Sequence, residues 1–457
     1  MTLRRFRAPT GDGEVLAEPS VEALPSLVAS NQQLLEHSAA RVGGVSLREF
    51  RKQARSELQL PTDSPLIIGG HQPELAHPGV WVKNFAIHGL AKRTNGTSLN
   101  LIVDNDTLKT PCLRLPVWNT VMARDVRELC VPFDDDIGEV PYETRSIQNA
   151  ERFAAFAEVV REATKNWPFE PMIRSVWQPT HGKVGETFSA WRQNLEQEWG
   201  CHNREVTVRE LSQTASFARF VSHISTDLVR FRAAYNGAVI AYRRTHGLRS
   251  KNHPVPDLAE GELPFWEMSP NGRRPATSAT PPRATRPRAL TLTLFARLCL
   301  GDFFIHGIGG GKYDEVTDAI IRDYFRIEPP AYQVLSATLH LPFPHSPRPP
   351  NESARLERQL RDLHWNPQRY LPDAHPERDR VVAATPTDRA GRRHRYRDLR
   401  EWNERLRPQV AAKIATIQAE LEEAKNADRD AATLTRRDYA WVLYPEIALK
   451  PFLLQRL

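Results

Sequence analysis

The sequence predicts an α/β protein: a Rossmann-like parallel sheet core with a helical insertion and a C-terminal antiparallel helical arm of coiled-coil type. Three observations carry that prediction. Short apolar runs followed by glycine or acid alternate with helical patterns around residues 65–103 and again around 302–337, as in parallel-sheet proteins. Between these blocks, residues 150–265 read mainly as helices. From about residue 351 the apolar positions recur every three to four residues, as packed helices require. With 457 residues the chain exceeds what one hydrophobic core usually serves, so more than one folding unit is expected.

In chain order, residues 1–59 are expected as an N-terminal helical segment, with Ser46 capping LREFRKQARSEL. The core is expected over 60–345. It opens with PLIIGG, a short buried strand closed by glycines, and continues into PGVWVKNFAIHGLAKR. There Val82, Phe85, Ala86 and Leu90 share a helical face, Pro78 or Gly79 starts the helix, and Asn95-Gly96 stops it. SLNLIVDND reads as the next strand, and VRELCVPF (126–133) as a further one. The helical insertion spans 150–265, a Pro/Arg-rich linker 267–289. DFFIHGI then gives a strand, a glycine turn and a helix follow, and AYQVLSATLHLPF gives the last strand. The arm is expected over 346–440, with Leu356, Leu360 and Leu363 facing Leu406, Val410, Ile414, Ile417 and Leu421. Residues 441–457 are an apolar tail that returns to the core.

Composition bounds the function. With 40% apolar and 26% charged residues the chain is that of a globular protein. It has no apolar run of about 18 residues, and MTLRRFRAPTGDGEV lacks the apolar middle of a secretory signal. A cytoplasmic location and no membrane partner are expected. The net charge of +7 comes largely from arginines in two stretches, 272–288 and 387–400, read as solvated and mobile rather than as a specific nucleic-acid surface. Cys112, Cys130, Cys201 and Cys299 lie far apart without a CxxC pair, and are expected to be reduced and buried.

A strand-helix-strand unit places the residues after both strands on one sheet edge, the edge where open α/β sheets bind ligands. Gly70, His71, Gln72 and His77 come there from the first loop, Asp104 and Asp106 from the second. Two readings are open for the histidines. With Asp104 and Asp106 they have the donor types of a divalent metal site. Alternatively His71 acts as a general base and His77 as a donor to phosphate, although HPGV keeps only the first His and the Gly of an HxGH loop. The second Gly-rich stretch brings His306, Gly309, Gly310, Gly311 and Lys312, where backbone N–H groups, a helix start and a lysine suit an anion. It matches neither Walker A nor GxGxxG, and Asp314, Glu315 and Asp318 in its first turns would repel a phosphate. NHPVPDL adds His253 and Asp257 in a proline-stiffened turn.

Together these blocks resemble the bacillithiol-synthesis cysteine ligase family, the cysteine-adding enzymes. The resemblance runs through IIGGHQPELAHPGVWVKNFAIHGLAK, LIVDNDTLK, AYNGAVIAYRRTHG, and RALTLTLFARLCLGDFFIHGIGGGKYDEVTDAIIRDYF with PAYQVLSATLHLP, roughly residues 60–345. It implies a Rossmann-like core with a coiled-coil arm and an activity joining cysteine to an amino sugar. It points to Gly70, Gln72, Pro78, Lys83, Asp104, Asp106, Gly309 and Gly310. The chain departs from the family pattern at His71, Glu74, HPG and GGGKYDE, which bears on the substrate more than on the fold.

The function expected is therefore a ligase or transferase acting on an amino acid and an amino-sugar or related metabolite. His71, His77, Asp104 and Asp106 fall in the catalytic roles and the glycine stretch with Lys312 in anion binding. ATP or a divalent metal is the cofactor such chemistry calls for. A metabolite-binding scaffold dimerised through the arm, and a metal-dependent hydrolase at the same place, are the alternatives.

Overall fold

The computed structural model of the protein describes residues 6–118, 124–269, 272–344, 351–373 and 375–455. Residues 1–5 of the expected N-terminal segment, 270–271 of the expected linker, 345–350 and 374 at and within the expected arm, and 456–457 of the tail lie outside the described residues.

The main sheet has six strands: β1 (Val15–Glu18), β2 (Leu66–His71), β3 (Thr97–Ile102), β4 (Arg204–Thr207), β5 (Phe303–His306) and β6 (Tyr332–Ala337). In space they run β1-β6-β5-β2-β3-β4, all parallel except β1, which is antiparallel to β6. Central parallel strands are covered on both faces and need continuous apolar sequence. Ile67, Ile68, Leu99, Leu101, Ile305, Val334 and Leu335 supply it, each almost fully buried. From β2 the chain winds outward through β3 to β4. It then returns to β5 on the other side of β2 and continues to β6. Strand order therefore reverses between β2 and β5, and ligands of doubly wound sheets settle in the crevice at the carboxyl end of such a reversal.

Two helices follow these two strands. Helix α1 (Pro78–Arg93) follows β2, and α2 (Ile308–Ile320) follows β5. Both point their N-termini at the reversal. The helical region contributes β4 to the sheet edge, with Val206 in register with Leu101. The expected cap at Ser46 forms as a full capping box: the hydroxyl accepts from the Glu49 N–H, and the Glu49 carboxylate accepts from the Ser46 N–H.

Four expectations need correction. Residues 1–59, expected as helical, also supply strand β1, which pairs antiparallel with β6 at the edge of the main sheet. The stretch read as a mobile Pro/Arg linker is ordered as a three-stranded sheet of Glu262–Ser269, Gly272–Thr277 and Thr285–Pro287, with the first strand in the middle. Arg274 and Arg283 are exposed as expected, but the other arginines of the stretch are not solvated. Arg286 is buried against Glu143 at 2.9 Å, and Arg288 pairs with Glu262 at 2.6 Å. The second basic stretch is the start of a long helix capped by the Asp388 carboxylate. The cysteines are not all reduced: Cys112 and Cys130 form a disulfide, their Cα atoms 5.8 Å apart, while Cys201 and Cys299 are free and buried. Strands Cys112–Val117 and Arg127–Pro132 pair as a two-stranded sheet and bring together residues 18 apart in sequence. The strand expected at 126–133 thus forms, but outside the main sheet.

The chain divides into two compact units. One holds Met1–Leu115, Cys130–Pro342 and Arg437–Leu457, and the other Pro116–Leu129 and Phe343–Arg436. In the second unit, α3 (Glu352–Trp365) lays Leu356 and Leu363 against Val410, Ile414, Ile417, Leu421 and Ala424 of α4 (Arg389–Leu434). Glu357, early in α3, pairs at 3.2 Å with Lys425, late in α4, so the two helices run antiparallel. In the first unit the tail returns to the core, where Trp441 packs on Trp81 of α1 with ring centroids 4.8 Å apart. Among the described residues no helix is long and apolar enough to cross a membrane.

Candidate functional site

At the β2/β5 reversal lies a cavity of about 990 Å³. Into it converge the ends of β2 (Gly70, His71, Gln72), the start of α1 (His77, Lys83), the loop after β3 (Asn105, Asp106), and the β5–α2 junction (His306, Gly307, Gly309, Gly310, Lys312). Topology alone brings them together, since parallel strands deliver all these segments to one edge.

The Gly-rich segment differs from its expected form. Gly309, Gly310 and Gly311 do not make a turn; they are the first turn of α2, with Gly307 as N-cap, and none of them has a positive φ. The glycines serve close packing instead. A Cβ at Gly311 would come within 2.2 Å of Val334 Cγ2 on β6, and one at Gly310 within 2.8 Å of His306 Nδ1. No side chain caps this helix. The first-turn N–H groups of Ile308, Gly309 and Gly310 therefore remain unspent and carry the positive end of the helix dipole. The acids that looked repulsive face away. Arg297 holds Asp314 at 2.6 Å and Asp318 at 2.8 Å, His306 Nε2 lies 2.8 Å from Asp314, and Glu315 meets His246 at 3.0 Å.

Lys83 is the most telling cation. It sits two turns into α1, 4% exposed, and its ammonium donates to the Gly70 carbonyl at 3.1 Å. A Cβ on Gly307 would lie 3.9 Å from that nitrogen, so Lys83 bridges the ends of β2 and β5. Burial pushes its pKa down to about 8, against a smaller opposing pull from Glu74. Lys312 lines the same cavity, half-buried, from the start of the second turn of α2.

The two histidines carry opposite tautomers. His71 Nδ1 lies 3.2 Å from the Gln72 carbonyl oxygen, which can only accept, so Nδ1 carries the proton and Nε2 keeps its lone pair. His77 is the N-cap of α1: its Nδ1 accepts from the Gly79 N–H at 3.1 Å, so its proton is on Nε2. Burial, reinforced by Lys83, lowers the His71 pKa to about 3. Burial, reinforced by Arg437, lowers that of His77 to about 4. Both rings are neutral at pH 7.

The acids separate. Asp106 lines the cavity and accepts from Gln72 Nε2 at 2.7 Å and Arg273 Nη2 at 2.8 Å. Burial opposes its charge, but these hydrogen bonds outweigh it and hold the carboxyl below its usual range. Asp104 does not line the cavity. It is buried, accepts from the Arg209 N–H at 3.0 Å, and is pushed up to about 7 by burial and then by Glu143. His253 and Asp257 also lie outside the cavity lining. The Asp257 carboxylate pairs with Arg243 at 2.9 Å, and the His253 ring packs edge-on against Tyr313, which does face the cavity. Among the described residues, no group of three His, Cys, Asp or Glu is placed to hold a metal ion.

Sequence reading missed several lining residues. Arg273 and Trp266 come from the three-stranded sheet and Arg288 from the residue just after it: Arg288 lies 4.3 Å and Arg273 4.9 Å from the Trp266 ring, and Arg273 also binds Asp106. The available signal was Asn271-Gly272, a hairpin dipeptide beside the ELPFWEMS run. Asn105, 3% exposed, donates its amide to the Pro287 carbonyl while its buried Oδ1 has no partner.

Comparison with known protein families and with curated protein sequences finds no match. Among solved structures, the crystal structure of Plasmodium falciparum tryptophanyl-tRNA synthetase aligns over 96% of this chain and 97% of that one, at 9% identity and a TM-score of 0.23. A likeness of that size carries no argument about function.

Proposed function

We propose that this chain is an enzyme of the ligase or transferase class that holds an anionic metabolite at the strand reversal. In line with the resemblance to the cysteine-adding enzymes, it joins an amino acid to an amino-sugar or related small molecule. One observation carries the reading: the unspent N–H groups of α2, buried Lys83 and Lys312 converge on one cavity. A ligand with an anionic end complements that arrangement, and the Asp106 carboxylate in the same cavity suits a hydrogen-donating end such as an amine.

In amide formation the attacking amine gives up a proton as its nitrogen bonds to the carboxyl carbon. His71 Nε2, which keeps its lone pair, and the Asp106 carboxylate are the acceptors that line the cavity. Lys83 and the α2 N–H groups are positioned to steady negative charge on the carboxyl oxygens. A nucleoside triphosphate would supply the leaving group that an unactivated carboxylate lacks; the first turn of α2 and Lys312 are the residues that would hold its phosphates.

Thermal-shift titrations with ATP, sugar phosphates and dicarboxylates test this. At least one is expected to raise the melting temperature saturably, with an affinity about tenfold weaker in Lys312→Ala. If none does, or if Lys312→Ala responds like the parent chain, the reading fails.

A further inference from the structure

A second cleft, of about 420 Å³, lies at the amino ends of β2 and β5, on the sheet edge opposite the candidate site. Its floor joins Arg51 and Arg55, from the helix Leu47–Glu57, to Asp302, the residue before β5. Both guanidiniums clamp the one carboxylate: Arg51 Nη2 donates to Oδ1 and Arg55 Nη2 to Oδ2, each at 2.7 Å. The Leu66 N–H adds a third bond, to Oδ2 at 2.7 Å. Asp302 is therefore fully engaged.

The arginines are not. Arg51 makes one further bond, to the Leu298 carbonyl at 2.6 Å. Arg55 makes two, to the carbonyls of Leu300 at 2.8 Å and Ser64 at 3.2 Å. Two guanidiniums carry ten N–H groups, and these contacts use five. Arg51 is 7% exposed and Arg55 5%, so two buried cations share one buried anion. Leu298 and Leu300 close a helix, and the negative end of its dipole offsets part of the excess. Both arginines line the cleft, whose rim adds Lys52, Thr62 and Ser64. Of the other rim charges, Arg48 is already paired with Glu36 at 2.6 Å, and the exposed Asp63 offsets Lys52, so the net positive charge of the cleft is that of the two guanidiniums less Asp302. Burial, and then repulsion from Arg55 against the pull of Asp302, brings the Arg51 pKa down to about 10.

We infer that this cleft binds a small oxyanion of the phosphate or sulfate kind, seated on the unspent guanidinium donors of Arg51 and Arg55. Planar guanidiniums match the oxygen spacing of such an ion. β2 is six residues long, so the cleft lies about 20 Å from the strand reversal. The ion would be an effector or a structural ligand, not the substrate, and the inference stands independently of the proposed activity.

The test is a titration with inorganic phosphate at constant ionic strength, balanced with chloride, followed by melting temperature. It is run in a Lys312→Ala background so that the other anion site is weakened. A saturable rise is expected, with an apparent dissociation constant at least tenfold higher in Arg51→Met. Lys52→Glu, an exposed change that leaves the core packing intact, is expected to raise it severalfold, and it decides the matter if Arg51→Met does not fold. A phosphate response no larger than that to chloride, or one unchanged in Lys52→Glu, overturns the inference.

Discussion

Helices α1 and α2 follow neighbouring parallel strands and open on the same cavity, yet their first turns are spent in opposite ways. In α1 the His77 ring caps the Gly79 N–H, and Pro78 has no N–H to offer. In α2 the N-cap is Gly307 and no side chain closes the turn. The glycines at the second helical position repeat the contrast. A Cβ at Gly79 would stand 2.0 Å from the Ala337 carbonyl oxygen, whereas one at Gly309 meets nothing within 4 Å. One terminus is built into the fold. The other is left open, and an open N-terminus beside a buried lysine is what an anion needs.

The largest effect expected from this contrast is on stability. Gly79→Ala should cost about 3 kcal/mol in denaturant unfolding, because the opposing atom is backbone and cannot swing aside. A cost below about 0.5 kcal/mol would show that the start of α1 is loose, and the two termini would no longer differ.

The next effect is on pH dependence. The Lys83 amine has a pKa of about 8 in the fold against 10.5 in its ordinary state. Below pH 8 it is charged whether the chain is folded or not, and the burial penalty acts in full. Between about pH 8 and 10.5 the unfolded chain binds more protons than the folded one, so stability rises with pH, by something on the order of 3 kcal/mol. Stability profiles of the parent chain and Lys83→Met should diverge over that window. Parallel profiles would mean the ammonium is not desolvated. Anion affinity should fall as pH climbs past about 8, where the charge at the cavity is lost.

The smallest effect has the opposite sign. Gly309→Ala should stabilise by about 0.5 kcal/mol, since alanine suits a helix and the new methyl has open space. Destabilisation there would reveal packing over the α2 terminus and remove its openness.

Much of the site was legible because it follows from local pattern. The apolar run LIIGG, the helix start at Pro78 and the strand LNLI put Gly70, His71, Gln72, His77 and Asp106 on one edge, and they line the cavity. Asp104 shows the limit. It lies two residues from Asp106, yet its carboxylate is taken by the Arg209 N–H, a partner more than a hundred residues away. The run GRRPATSATPPRATRPR looked solvated because charge and proline are polar in isolation. Asp106, Glu143 and Glu262, the partners of Arg273, Arg286 and Arg288, are distant in sequence or outside the run.

Periodicity and the order of strands and helices determined the parallel strands β2, β3, β5 and β6, the arm and the edge where a ligand would sit, because these depend on spacings of a few residues. Only the tertiary structure decided which charges are neutralised, which cysteines join, and which of two similar helix starts stays open. Those outcomes depend on contacts between residues tens to hundreds of positions apart, and a side chain's charge has no fixed consequence until its partner, or the lack of one, is in place.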